Sequence, residues 1–174
     1  GALDNASGTA GVLALAEAGA NVVIDYVADE EATEDLEKQV AALGDKAIGV
    51  EADVVLPLYR CVDRSRFPFK GPGEKVLVPL GYREEEGSVE ETDAGGGVRA
   101  FLVRNDRYFD REFLYGTRDG DYADNSERFT FFCRAVMEWI ARSGRRYDVI
   151  HCNDWQTGLL PVYVKTLYAD REPF

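Results

Sequence analysis

Four residues near the C-terminus, His151, Asn153, Asp154 and Gln156, place an imidazole, a carboxylate and two carboxamides around the end of an apolar run, Tyr147-Asp148-Val149-Ile150-His151-Cys152. The run reads as a short buried strand, and Asn153-Asp154 carry side chains suited to cap a helix running to about Leu167. In open α/β sheets such junctions hold ligands, because the first turn of the helix presents unpaired N–H groups beyond the strand's carboxyl end. His151 is the chain's single histidine. Position alone leaves it open as a strand-end histidine packed for structure or as a group acting on a ligand. Pro161 falls inside the expected helix, which predicts either a kink or a start near Gly158 with proline among the first positions.

A second group lies upstream. Asp124 and Glu127 have capping-box spacing, and apolar residues follow at Phe129, Phe132, Cys133, Val136 and Ile140 before Gly144, so a helix is expected from Asp124 to about residue 143. Loss of that cap in Asp124→Ala is expected to cost about 1 kcal/mol. Tyr108, Phe109 and Tyr115 read as core aromatics or as surfaces for ring stacking. Residues 61–74, rich in Pro and Gly, read as a loop, and residues 75–105 as a hairpin with a polar, Gly-rich middle. The glycines at 95–97 read as a turn, because a phosphate cradle needs a helix next and Val98 to Val103 looks like a strand. The run at 54–59, ended by proline, reads as the continuation of a strand begun at Lys46 or as a separate edge piece.

The chain of 174 residues, 45% hydrophobic, is long enough for one ordinary core. Its charge is uneven. Residues 1–54 hold 12 Asp/Glu against 2 Lys/Arg, with 13 Ala, no Arg and Tyr26 as their single aromatic, whereas residues 55–174 hold 20 acids against 18 bases. The first part reads helix (8–18), strand (21–24), helix (29–43) and strand (from 46), the rhythm of a parallel α/β sheet. The net charge of −12 and pI near 4.5 argue against nucleic acid or an anionic membrane as partner. No apolar run approaches the roughly 20 residues that span a bilayer, and the first residues lack a basic n-region. Cys61, Cys133 and Cys152 are odd in number, far apart and never in CxxC spacing, which fits free thiols rather than a disulfide framework or a metal site. A cytoplasmic protein without metal or cofactor is the expectation.

Two resemblances sharpen this reading. NDRYFDREFLYG (105–116), DYADNSERFTFFCRA (121–135) and DVIHCNDWQTGLLPVYVK (148–165), with VVLPLYR (54–60) before them, resemble successive motifs of the glycogen/starch synthase family, in family order and spacing. Residues 8–54 resemble the early part of a short-chain dehydrogenase. In the latter family Asp25 would lie near an adenosine ribose and Asp53-Val54 near the adenine, but the glycine turn is represented only by residues 5–11, with Gly8 and Gly11, and no Tyr-x-x-x-Lys follows. The expectation is therefore no useful NAD(P) binding. Together the resemblances imply a fusion of two Rossmann-type pieces, divided at 54/55 but folded as one α/β unit, a Rossmann-like parallel sheet with flanking helices and a hairpin insertion.

The synthase resemblance implies part of the N-terminal domain of a two-Rossmann-domain glycosyltransferase that moves glucose from ADP-glucose to an α-1,4-glucan, with retention and without a metal. It implies catalytic roles for Asp124 and His151. It also implies sugar contacts for Asn125, Asn153, Asp154 and Gln156, with Tyr108 and Tyr115 as stacking surfaces. Histidine often stands in the family where this chain has Asn153, so either His151 or Asn153 is the group at the sugar. The family's Lys-Thr-Gly-Gly loop and its C-terminal nucleotide domain have no counterpart in these residues, so the chain is expected to be inactive alone. The competing readings are an NAD(P)-binding fragment and a noncatalytic α/β module whose bare sheet edge pairs with another chain.

Overall fold

The computed structural model describes residues 22–25, 52–95 and 98–174, the first of these as backbone. The expected helices at 8–18 and 29–43, the strand from Lys46, and Gly8 and Gly11 lie outside the described residues. Among the described residues six strands form one sheet in the order β3-β4-β5-β2-β1-β8, with β1 at Val22–Asp25, β2 at Ala52–Pro57, β3 at Glu74–Leu80, β4 at Arg83–Gly95, β5 at Val98–Arg104 and β8 at Val149–Cys152. β5, β2, β1 and β8 run parallel, and β3 and β4 add antiparallel strands at one side. A two-stranded ribbon, β6 (Gly116–Thr117) with β7 (Gly120–Asp121), stands apart. The helices among the described residues are α1 (Asp106–Phe109), α2 (Asn125–Ser143) and α3 (Leu160–Lys165).

β2 is neither an edge piece nor a peripheral strand. It sits between β5 and β1, and it crosses the 54/55 boundary, so residues on both sides of the compositional break share one sheet. Strand alternation turns Asp53, Val55 and Pro57 to one buried face. Proline is tolerated because it ends the strand, and Leu58 N–H, the next donor, reaches the Val103 carbonyl at 2.8 Å. Asp53, fully buried, accepts from Arg99 Nε at 2.7 Å and from the Tyr147 hydroxyl at 2.6 Å. That carboxylate binds the start of β2 to the start of β5 and to the segment entering β8. Burial and the Asp53 hydrogen bond push the Tyr147 hydroxyl pKa far up.

The expected single hairpin is two. Leu80 pairs with Arg83 across a two-residue turn, Gly81-Tyr82, where Gly81 has φ 63°. Only then does β4 run to Gly95, which pairs with Val98. The 13-residue β4 carries six acids (Glu84, Glu85, Glu86, Glu90, Glu91 and Asp93), a composition that disfavours strands. Pairing on both sides and cation partners compensate: Lys75 meets Glu86 at 2.8 Å, Arg107 meets Glu85 at 2.6 Å and Arg64 meets the buried Glu90 at 2.6 Å.

α2 lies across β3, β4 and β5 and supplies most of the core. Phe129, Phe131, Phe132, Cys133, Val136, Met137 and Ile140 are buried with Val76, Val78, Val89 and Val103 of the sheet, and Trp139 packs on Phe101 with ring centroids 4.5 Å apart. The helix ends at Gly144 in the left-handed conformation (φ 67°), as its position predicts. Close approach of α2 to the sheet depends on Gly87, where an added Cβ would stand 2.8 Å from Phe131 Cζ and 3.0 Å from the Arg104 carbonyl oxygen.

Gly87→Ala should therefore destabilise the fold by about 1–3 kcal/mol in urea titration, because the helix or the ring must move. Most of that penalty should vanish in a Phe131→Leu background. An equal penalty in both backgrounds would place the conflict at the Arg104 carbonyl instead.

Candidate functional site

The carboxyl ends of the parallel strands carry the residues of interest. β8 ends at Cys152, and Asn153-Asp154 lead into a 3-10 turn at Trp155–Thr157 before α3 begins at Leu160 with Pro161 in its first turn. Of the two readings of Pro161, the late helix start is the one found. Asp154 turns the chain: its φ of 60° and ψ of −178° are a conformation that side-chain-bearing residues rarely adopt, and its Oδ1 accepts from Trp155 N–H at 2.6 Å. Thr157 hydroxyl donates to the Asn153 carbonyl at 2.9 Å and closes the turn.

α2 begins beside this turn, but not by the expected cap. Asp124 occupies the N-cap position and makes no side-chain cap bond. Its backbone carbonyl takes Arg128 N–H at 2.9 Å, while both carboxylate oxygens accept from Arg111, at 2.8 and 2.6 Å. Glu127 does not reach back either. It accepts from the Tyr108 hydroxyl and from Arg83. Charged partners displace the weaker local cap because a bidentate guanidinium bond is charge-assisted in both groups. Arg111 holds the Asp124 carboxyl below the usual carboxylate range, and the Tyr108 hydroxyl together with Arg83 does the same for Glu127.

Arg128, one turn into α2, is fully buried. Its Nε donates to the Tyr108 carbonyl at 2.7 Å, one terminal nitrogen to Asn125 Oδ1 at 2.6 Å and the other to the Leu114 carbonyl at 3.0 Å. Asn125 in turn donates Nδ2–H to the Tyr115 carbonyl at 2.7 Å. Residues 108–115 are thereby fastened to the first turn of α2. Tyr115 then meets Phe129 at 6.1 Å and Trp155 at 6.0 Å, and Phe129 meets Trp155 at 4.9 Å between centroids. These three rings join the α2 N-terminus to the end of β8.

The expected residues are therefore distributed unevenly. Tyr115 is one of the three rings, Asn125 donates to the Tyr115 carbonyl and Asp154 accepts from Trp155 N–H, so these three meet there, with Asp124 and Asn153 their neighbours along the chain. Tyr108 does not join them, because its ring is fully enclosed and its hydroxyl, raised to a pKa of about 12 by burial and Glu127, is spent in the core. It has no face for a sugar. Gln156 is 2% exposed, its carbonyl accepting from the Cys133 thiol at 3.2 Å and its Oε1 without a hydrogen-bond partner among the described residues. His151 alternates to the sheet face opposite Ile150 and Cys152, and burial lowers its pKa, keeping the imidazole neutral at pH 7. Ile150 and Cys152 instead line a separate apolar cavity of about 350 Å³ with Ile140, Leu160, Val164 and Phe174. Among the described residues no cluster of His, Cys, Asp and Glu could hold a metal, and no disulfide joins the cysteines. Sequence reasoning missed Arg111, Arg128 and Trp155. The i+3 spacing of Arg128 from Asn125 was visible, but its burial was not.

Asp124→Ala should cost about 1 kcal/mol or less, since the carboxylate is 38% exposed and solvent screens the pair. Asp124→Ser, which offers a cap without a charge, should not restore it. Because the folded pKa of Asp124 lies below an unfolded value near 3.9, the contribution is complete above about pH 4 and is lost as pH falls through the folded value. Full rescue by serine in a thermal melt would reinstate the cap. Arg128→Met should cost about 3–5 kcal/mol by leaving the buried Tyr108 carbonyl and the part-buried Asn125 and Leu114 oxygens without their donor, and Arg128→Lys should recover little, since an ammonium lacks the fork. A loss under 1 kcal/mol in urea would show that water replaces the guanidinium.

Residues 36–174 match the starch synthase catalytic domain family. A glycogen synthase 2 from Geobacter sulfurreducens is 39% identical over 129 residues, 74% of this chain and 26% of that protein. A glycogen synthase from Elusimicrobium minutum is 48% identical over 113 residues, 65% of this chain and 23% of that protein. The chain thus spans about a quarter of the length of these relatives. The catalytic domain of starch synthase IV from Arabidopsis thaliana, bound to ADP and acarbose, superposes with a TM-score of 0.63 at 20% identity, over 86% of this chain and 30% of that one. The mixed α/β fold is that of a starch synthase catalytic domain, and the chain belongs to the starch synthase catalytic domain family.

Proposed function

We propose that this chain forms the glucan-holding side of an ADP-glucose-dependent α-1,4-glucan synthase, the N-terminal of two Rossmann-type domains. The observation that carries the reading is the junction of β8 and α2. Asn153 and Asp154 follow a parallel strand's carboxyl end, Asp124 and Asn125 open α2, and Phe129 of α2 packs on Trp155, the residue after Asp154, in a chain of this family. Carboxamides both donate and accept, which suits sugar hydroxyls, and Asn125 and Asn153 supply that chemistry with Asp154. Asp124 contributes negative charge held in place by Arg111, and neutral His151 or Asn153 is the group nearest the transferred glucose. Tyr115 contributes a ring.

The dehydrogenase-like reading of residues 8–54, and with it a domain division at 54/55, gains nothing comparable. The family match begins at residue 36, and Val22–Asp25 hydrogen-bonds between β2 and β8 in the same sheet. NAD(P) binding in the micromolar range by calorimetry would revive that reading. Light scattering tests self-association, for which β3 and β8 are the edges of the described sheet. A cytoplasmic setting accords with cysteines joined in no disulfide, and no described helix is long and apolar enough to cross a membrane.

Glycosyl transfer with retention needs positive charge preorganised at the leaving diphosphate and a donor held against the acceptor in a dry cleft. The arginines nearest the candidate site, Arg111 and Arg128, are committed to Asp124 and to backbone carbonyls. The chain alone should therefore bind glucan without turning over ADP-glucose. Purified chain incubated with radiolabelled ADP-glucose and glycogen should leave the glucan unlabelled. Label incorporated by the parent and lost in His151→Ala would overturn this.

A further inference from the structure

α2 starts without the cap that its own sequence offers, and the residue that withholds it is Arg111. One guanidinium nitrogen meets each Asp124 oxygen, at 2.8 and 2.6 Å, and no side-chain bond runs from Asp124 to the helix N–H groups. An aspartate at this position ordinarily stabilises its helix by capping it, so the arrangement forgoes a local gain. A local rule broken without a matching structural gain is characteristic of functional positions.

No such gain is evident here. Fastening residues 108–115 to α2 is already done by Arg128, which binds Tyr108, Asn125 and Leu114, and by Asn125, which binds the Tyr115 carbonyl. The pair of Arg111 and Asp124 is partly exposed, so solvent screens it and its contribution to stability is small. Its geometry, by contrast, is fixed from several sides. Arg111 N–H donates to the Phe109 carbonyl at 2.9 Å, and one terminal nitrogen of its side chain also donates to the Arg107 carbonyl at 3.1 Å. The guanidinium lies over the Tyr122 ring at 4.7 Å, and that of Arg128 lies over the same ring at 5.1 Å. Tyr122 is held in turn, its N–H donating to the Tyr115 carbonyl at 3.0 Å and its carbonyl accepting from Asn125 N–H at 3.1 Å. Through this ring the buried Arg128 sets where Arg111 lies, and Arg111 sets where the carboxylate lies. A carboxylate offers about four lone-pair sites, and a bidentate guanidinium uses one on each oxygen. The remainder stays available to hydroxyl donors.

We propose that Arg111 is a positioning residue of the glucan site: seated on Tyr122, it keeps the Asp124 carboxylate off the α2 N-terminus and open to hydroxyls of the glucan. The proposal rests on the glucan-synthase reading above and adds to it the group through which Asp124 is aimed. Arg111 itself touches no sugar. A carboxylate held in one orientation loses little freedom when a sugar arrives, so binding is not weakened by ordering it. Lysine is no substitute, because an ammonium lacks the planar fork that meets both oxygens while lying on a ring.

In the unaltered chain labelled with 13C at its aspartate carboxyls, maltoheptaose should shift the Asp124 signal, which is assigned by its loss in Asp124→Asn. By equilibrium dialysis, Asp124→Asn should weaken maltoheptaose binding about tenfold, the effect of losing one charge-assisted hydrogen bond. Arg111→Met should weaken it about as much, and Arg111→Lys should recover little. In the Asp124→Asn background Arg111→Met should have no further effect, since the two act as one unit. A role confined to holding the loop would instead weaken binding equally in both backgrounds. Circular dichroism checks that the variants fold, and the carboxyl shift in the unaltered chain stands whatever their stability. Maltoheptaose bound with the Asp124 signal unmoved, bound as tightly by Asp124→Asn or Arg111→Met as by the parent, or weakened by Arg111→Met equally in both backgrounds would overturn this proposal and leave the glucan reading standing. Absence of any maltoheptaose binding would overturn both.

Discussion

A buried positive charge organises the site. Arg128 is enclosed on all sides, and the groups that receive its protons are two backbone carbonyls and a carboxamide rather than a carboxylate. Removing a guanidinium from water is costly, and here carbonyl dipoles and the faces of Tyr122, Phe129 and Phe109, at 5.1, 5.2 and 5.7 Å, offset the loss. Burial nonetheless lowers its pKa, with the nearby Arg111 adding to that effect. Such an arrangement tolerates few substitutions. Each of the three acceptors belongs to a different part of the site: α1 at Tyr108, the irregular segment at Leu114, and the start of α2 at Asn125. One side chain thus sets where the loop lies relative to the helix, and everything the loop presents to a ligand follows from that.

Around Arg128 the remaining charges are arranged so that few carboxylates near the loop stand alone. Arg111 holds Asp124, Arg60 holds Asp110 at 2.7 Å, and Arg107 and Arg83 share Glu85 and Glu127. Most of these pairs are partly exposed, so individually each contributes little to stability. Their collective effect is on geometry. The same arginines that neutralise the acids of β4 also anchor α1 and the residues after it, which is how a strand of such composition comes to lie in the middle of the antiparallel part of the sheet.

Much of this was legible in the sequence, for identifiable reasons. The helix from Asp124 to Gly144 shows in its 3.6-residue apolar period and its terminal glycine, and β8 shows as an apolar run before two capping residues. The motifs around residues 105–116, 121–135 and 148–165 carried the family. Local rules failed where a partner distant in sequence outcompeted a local one. Asp124 and Glu127 have the spacing of a capping box, yet Arg111 and Arg83, 13 and 44 positions away, take their carboxylates. β4 was hidden by its glutamates, and its turn by the glycines at 95–97, which drew attention from the two-residue turn at Gly81. The aromatics could not be sorted by density. Tyr108 went to the core and Tyr115 to the rim, a difference fixed by which carbonyls Arg128 and Asn125 reach.

The position of the β8 end relative to α2 is fixed from two independent directions. From the sheet, β8 hydrogen-bonds to β1, with Ile150 opposite Val23 and His151 opposite Ile24. From the helix, Phe129 packs on Trp155 and the Cys133 thiol donates to the Gln156 carbonyl. A slip of one residue in the β1 to β8 register would exchange the two faces of β8. It would bring His151 to the face that packs against Ile140 and Leu160, and send Ile150 and Cys152 to the other. The apolar cavity therefore specifies the register from the inside, and the register in turn decides that Asn153 and Asp154 follow the strand where the α2 N-terminus can meet them. The four residues Val22–Asp25 thus pair with both β2 and β8 and fix the register of β8 in the sheet.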